Sequence, residues 1–141
     1  MDESINLEHW ESSVGRIVTS LARIEGELLL KYERHFSRKK YFSDSLEQRI
    51  QRIEDLYENE CGMITTSKEL FGNIREHVKL RNLVAHNPVY YDSKSSKFKI
   101  ENGQSKSKFV NVTELNELSR KLNSSCLAFS VLLRIWASNK N

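Results

Sequence analysis

The sequence predicts an all-α fold: an antiparallel four-helix bundle with a small β-hairpin or ordered loop between the third and last long helices. Three observations predict it. Apolar residues recur at spacings of three and four along most of the 141 residues, the mark of helices that bury one stripe. One Pro and five Gly leave little turn chemistry for a loop-rich or all-β architecture. Only residues 88–112 break the helical pattern. Residues 1–141 read as a single domain, long enough to bury a core.

The first helix carries Leu7, Trp10, Val14, Ile17, Leu21, Ile24 and Leu28 in unbroken three-four spacing, the seam of a bundle. The chain then turns basic at Lys31, Arg34, Arg38, Lys39 and Lys40, interleaved with Tyr32, Phe36 and Tyr41. This is either a solvated helix end or a phosphate-tracking patch with stacking rings. A second helix begins after Ser43 or Asp44, either of which can cap it, and turns Leu46, Ile50, Ile53 and Tyr57 inward. Cys61-Gly62-Met63 interrupts the pattern. Thr65, Thr66 or Ser67 caps the third helix, whose stripe is Phe71, Ile74, Val78, Arg81 and Ala85. That helix ends at His86, because Asn87 can take a left-handed cap and Pro88 cannot continue the ladder. Val89-Tyr90-Tyr91, Lys97-Phe98-Lys99-Ile100 and Phe109-Val110-Asn111-Val112 read as short strands, separated by turn formers at 92–96 and 101–104. Thr113 and Glu114 open the last helix, with Leu115, Leu118, Leu122, Ser125, Phe129, Leu132 and Trp136 as its seam.

Composition narrows the function classes. With 38% apolar and 29% charged residues the chain resembles an ordinary globular protein. A net charge of +3 and a pI near 8.9 are compatible with a nucleic-acid partner without demanding one. Cys61 and Cys126 lie far apart and no Cys/His cluster exists, so no metal site is expected and both thiols are read as buried in a reducing compartment. The acidic start, Met1-Asp2-Glu3-Ser4, lacks the pattern of a signal peptide. No apolar run approaches the ~20 residues that span a bilayer. A cytoplasmic protein without membrane contact is expected.

One position violates the helical pattern. Arg81 falls on the apolar stripe, where a guanidinium is costly unless an anion meets it. His86 follows five residues later at the helix end, and Asn82 lies four before His86 on the same face. The segment Leu80-Arg81-Asn82-Leu83-Val84-Ala85-His86-Asn87 resembles the signature of the HEPN superfamily, an Arg followed after four to six residues by a His near the end of the third principal helix. The helical outline covers most of the chain; the specific match covers these eight residues. The resemblance implies an antiparallel four-helix bundle, paired as a homodimer with the motifs facing each other. It also implies a ribonuclease without metal or other cofactor, of the kind found in toxin–antitoxin, phage-defence and CRISPR-associated systems. An antitoxin or a nucleotidyltransferase-like protein is then an expected partner.

The residue types suit that chemistry. RNA carries its own nucleophile in the 2′-hydroxyl, so cleavage needs a base, an acid and a cation. A histidine can hold either protonation state near neutrality, so His86 can serve as base or acid, and its place at a helix C-terminus favours the acid role. Arg81 offers a permanently charged fork for two phosphate oxygens. Asn82 either donates to the phosphate or fixes the histidine tautomer. At 100° and 1.5 Å per residue, Arg81 and His86 stand about 140° apart and about 7.5 Å along the axis. One chain does not easily close both on a single phosphate, whereas a two-fold pair can. A composite site in a homodimer is expected.

Glu25 of the first helix is expected to meet Arg81, either orienting it for a site or simply neutralising it. His77, four residues before Arg81, and Asn87, at the helix end, are supporting candidates. Lys79, Tyr90, Tyr91, Lys94, Lys97 and Lys99 are candidate RNA contacts, with Lys106 and Lys108 beside them. The competing expectation is a non-catalytic helical module of the same type that binds a partner protein or a nucleotide.

Overall fold

Helix α1 runs from Glu3 to His35 and is the element on which the others pack. A computed structural model describes residues 3–95, 97–101 and 107–138. Trp10, Ile17, Leu21, Ile24, Leu28 and Tyr32 are buried, so the seam extends one turn beyond Leu28. Leu7 drops out of it and is exposed, because the core begins at Trp10, stacked on Phe98 with ring centroids 4.4 Å apart.

The basic stretch is folded rather than looped. Ser37 caps a six-residue helix, α2 (Arg38–Ser43), by accepting from the Lys40 amide at 3.0 Å. Tyr32 and Tyr41 are buried, and the Lys31 ammonium lies 4.1 Å from the centroid of the Trp136 ring. Two of the three rings proposed for base stacking are thus core residues. Helix α3 (Leu46–Cys61) is capped by Ser45 rather than Ser43 or Asp44: Ser45 Oγ accepts from Gln48 N at 3.2 Å, and Gln48 Oε1 accepts from Ser45 N at 2.8 Å.

Asp44 does something else. Its buried carboxylate accepts from Tyr32 Oη at 2.8 Å and Arg52 Nε at 2.7 Å, with Lys40 Nζ at 3.3 Å. Burial alone would raise this carboxyl, but hydrogen bonds from Tyr32, Arg52 and Lys40 outweigh it and hold Asp44 below the ordinary carboxylate range. One carboxylate therefore ties α1, α2 and α3 together. Gly62 closes α3 at φ 75°, a left-handed geometry that strains any residue with a Cβ.

Helix α4 (Thr65–His86) starts without a side-chain cap; Ile64 occupies that position and Ser67 is buried in the first turn. Phe71, Ile74 and Val78 are buried as expected, joined by His77 and Val84. Ala85 is exposed. The buried face rotates by one residue near the end, which leaves Arg81 at its margin. Asn87 is extended, at φ −120°, rather than left-handed. It caps through its side chain: Nδ2 donates to the carbonyls of Leu83 at 2.9 Å and Asn82 at 3.3 Å.

The segment expected as a hairpin or loop is a three-stranded antiparallel sheet, ordered β1 (Val89–Asp92), β2 (Lys97–Glu101), β3 (Ser107–Val110). Val89 pairs with Ile100 and Tyr91 with Phe98, so the four share one face. That face packs on Trp10, Ile17, Val84, Val112 and Leu115 and forms a second core. Helix α5 (Val112–Ser138) opens at Asn111 instead of Thr113, with Asn111 Oδ1 accepting from Glu114 N at 2.7 Å and Nδ2 donating to Glu114 Oε1 at 3.1 Å. Val112, Leu115, Ser119, Leu122, Cys126, Phe129, Leu133 and Trp136 are buried along it, while Leu118 is exposed. The larger core lies where the second half of α1 meets α3, α4 and the second half of α5. The described residues are thus mostly helical, with five helices and a small sheet between the fourth and fifth. No helix among the described residues is long and apolar enough to cross a membrane.

The two thiols differ, contrary to the expectation that both are buried. Cys61 is exposed, whereas Cys126 is buried and its thiol is pushed up to about 12 by that burial. A thiol reagent is expected to titrate one cysteine in native protein and both in denaturant. Equal reaction rates at the two cysteines would contradict the packing of α5.

Candidate active site

The end of α4 carries the arginine and the histidine. Arg81 is half-buried, its side chain 23% exposed, and Nη1 donates to Glu25 Oε1 of α1 at 3.2 Å. Nε and Nη2 donate to Asn82 Oδ1 at 3.4 and 3.2 Å. The anion demanded by an arginine on an inward stripe is therefore Glu25, as the sequence suggested. Asn82 turns toward Arg81 and not toward His86, so its observed contact orients the guanidinium and not the imidazole tautomer. Of the five N–H groups on a guanidinium, one on each terminal nitrogen remains unspent. His86 is exposed and has no hydrogen-bond or ion-pair partner among the described residues. Among the described residues, no hydrogen bond or ion pair joins Arg81 to His86. Neither residue lines the described grooves along α4, which lie against α3 and α5.

Comparison of this chain with known protein families, curated proteins and solved structures finds no significant match. The site has to be read from its own geometry.

Several candidates fall elsewhere. His77 shares a helical face with Arg81, but at its level that face has turned fully inward. It is 0% exposed, and Nδ1 lies 3.9 Å from Cys126 Sγ. A ring sealed there cannot reach a substrate. Asn87 is spent on capping α4. Tyr91 packs edge-on to Phe98, centroids 5.4 Å apart, and belongs to the second core rather than to a stacking surface. Tyr90 stays 47% exposed on the outer face of the sheet. Its hydroxyl donates to Glu101 Oε1 at 3.3 Å, and Lys99 pairs with the same carboxylate at 3.2 Å. Lys79 pairs with Glu76 at 3.0 Å. Asp92 stands opposite Lys97 in the register, and Lys94 is exposed in the turn. The outer face of the sheet is thus close to charge-balanced. Lys106 lies outside the described residues; Lys108 occupies the β3 position paired with Ile100.

Burial has a titration consequence at His77. Its pKa is pushed down to about 4, so the ring is neutral in the native protein. The unfolded chain takes up a proton near pH 6.5 that the native state refuses, so stability falls as pH drops from about 6.5 to about 4. The loss is on the order of 3 kcal/mol when complete. Urea denaturation between pH 7 and pH 4 measures it, and His77→Leu is expected to flatten the profile. An equal pH slope in wild type and variant would contradict the buried neutral ring.

Proposed function

We propose that this chain is a metal-independent endoribonuclease of the HEPN type, acting in the cytoplasm as a homodimer. The observation that carries the reading is the end of α4. There a guanidinium is anchored by Glu25 and Asn82 with two N–H groups to spare, and an exposed imidazole without a partner among the described residues follows five residues on.

The 2′-oxygen attacks phosphorus while a base removes its proton. The O2′–P bond forms, the P–O5′ bond breaks, and an acid returns a proton to O5′. Arg81 stabilises the charge that builds on the non-bridging oxygens. His86 from each of two chains supplies the two proton-transfer roles, one ring as base and one as acid. The products are a 2′,3′-cyclic phosphate and a 5′-hydroxyl. Beside Glu25, Val18 and Ala22 of α1 are exposed and a Cβ placed on Gly26 would meet nothing within 4 Å, which leaves room for a second copy on the side of the Arg81 pair. The setting that suits such an activity is a toxin or an antiviral effector restrained by an antitoxin or a nucleotidyltransferase-like partner.

Incubating the purified protein with total RNA in excess EDTA, followed by end-group analysis, tests the proposal. Fragments ending in 2′,3′-cyclic phosphate are expected. RNA left intact in EDTA would contradict it. The competing reading, a non-catalytic module that binds a partner protein or a nucleotide, is favoured by one observation: the charge of Arg81 is already met inside its own chain by Glu25. The same assay separates the two.

A further inference from the structure

A cleft lies on the other side of α1. Arg16 and Glu25 are nine residues apart, hence about 180° around the helix. There the N-terminal halves of α1 and α5 leave an open cleft of about 340 Å³. His9, Ser12 and Arg16 line one wall and Thr113, Asn116 and Arg120 the other, with Val112 contributing apolar surface. Each wall repeats the same i, i+3, i+7 pattern, which brings three polar residues to one face of a helix.

The lining carries two permanent cations and a titratable ring, with no carboxylate. Arg16 is the organised member. It is half-buried, and Nη1 donates to Asn116 Oδ1 at 3.0 Å and Ser119 Oγ at 2.7 Å. Both acceptors are neutral and Arg16 has no ion pair among the described residues. Its charge is therefore positioned without being cancelled, and Nε and Nη2 keep their protons free for an acceptor. Arg120 is exposed at the rim and likewise has no ion pair among the described residues.

We infer that this cleft binds the phosphate group of a small phosphorylated molecule, mononucleotide-sized or smaller. The volume sits at the lower end of the range for small-ligand pockets. The Arg16 fork and the Arg120 head bracket one dianion, the Ser12 and Thr113 hydroxyls add donors, and Val112 offers an apolar contact for the rest of the ligand. A nucleic-acid strand fits less well. Glu8, Glu11, Glu114 and Glu117 occupy the same two helix starts without lining the cleft, so a backbone tracking beyond it meets carboxylates where a single phosphate does not.

Amide chemical shifts followed at constant ionic strength test the assignment, with inorganic phosphate and adenosine 5′-monophosphate as separate probes. Saturable shifts are expected at 112–116 and around Arg16. Saturation by the nucleotide at lower concentration assigns part of the recognition to the organic moiety; equal saturation assigns all of it to phosphate. Arg120→Gln, at an exposed position, is expected to weaken binding at least tenfold without changing the fold. Arg16→Gln should do the same but also removes bonds between α1 and α5. Arg81→Ala is expected to leave these shifts intact, which keeps this cleft separate from the nuclease proposal. Shifts that track salt rather than phosphate, or an Arg120→Gln response equal to wild type, would overturn the inference.

Discussion

Replacing His86 with alanine is expected to abolish RNA cleavage while leaving fold and association unchanged. The side chain is exposed and has no partner among the described residues, so truncating it removes no contact that holds α4 in place. Surface changes of that kind usually stay within about 0.5 kcal/mol of wild-type stability. Activity is a different matter. A positioned acid or base contributes about 10²–10⁴-fold, and a two-fold site loses both rings at once. Rates should be compared on one RNA in EDTA, with thermal unfolding and sedimentation as controls. Undiminished cleavage would place the chemistry elsewhere. Arg81→Ala is a less clean probe, because it also leaves Glu25 without its cation.

Asp44→Ala is expected to cost about 2 kcal/mol of stability, because it removes the anion shared by one buried hydroxyl and two part-exposed cations. Tyr32 loses the acceptor for its hydroxyl, and Arg52 and Lys40 lose their anion. The contact joining α1, α2 and α3 goes with them. Asp44→Asn keeps an acceptor for Tyr32 and should fall between alanine and wild type. The carboxyl is depressed in the folded state, so its contribution is present above the unfolded value and is lost as pH falls through the folded one. Urea denaturation at pH 7 measures the difference. A loss below 1 kcal/mol for Asp44→Ala would show that the network contributes little.

The helices were legible because three-four spacing encodes burial directly. Ile17, Leu21, Ile24 and Leu28 of α1 and Phe71, Ile74 and Val78 of α4 are buried as read. The ends were less legible. Ser, Thr, Asp and Asn cluster at every junction, and local composition does not say which side chain turns back on its helix. Ser45 and Asn111 cap where neighbours were expected to, and Asp44 goes inward instead. The third strand was read at 109–112 but spans Ser107–Val110, because Asn111 caps the helix that Val112 starts. At the site, the Arg81–Glu25 pair was foreseen because an inward cation demands an anion. His77 misled because four-residue spacing places two side chains on one face without saying how deeply that face is buried at each level. The cleft between α1 and α5 was not seen at all. His9, Ser12 and Arg16 lie off the apolar seam of α1, and only the fold sets Thr113, Asn116 and Arg120 across from them.

The composite site is tested most directly by mixing two inactive proteins. In a heterodimer of Arg81→Ala with His86→Ala, one chain supplies the imidazole and the other the guanidinium. After exchange of subunits, the mixture is expected to recover part of the wild-type cleavage in EDTA, slowed because one of the two imidazoles is missing, where neither variant cleaves alone. A mixture that forms heterodimers and stays inactive would contradict a site shared between two chains.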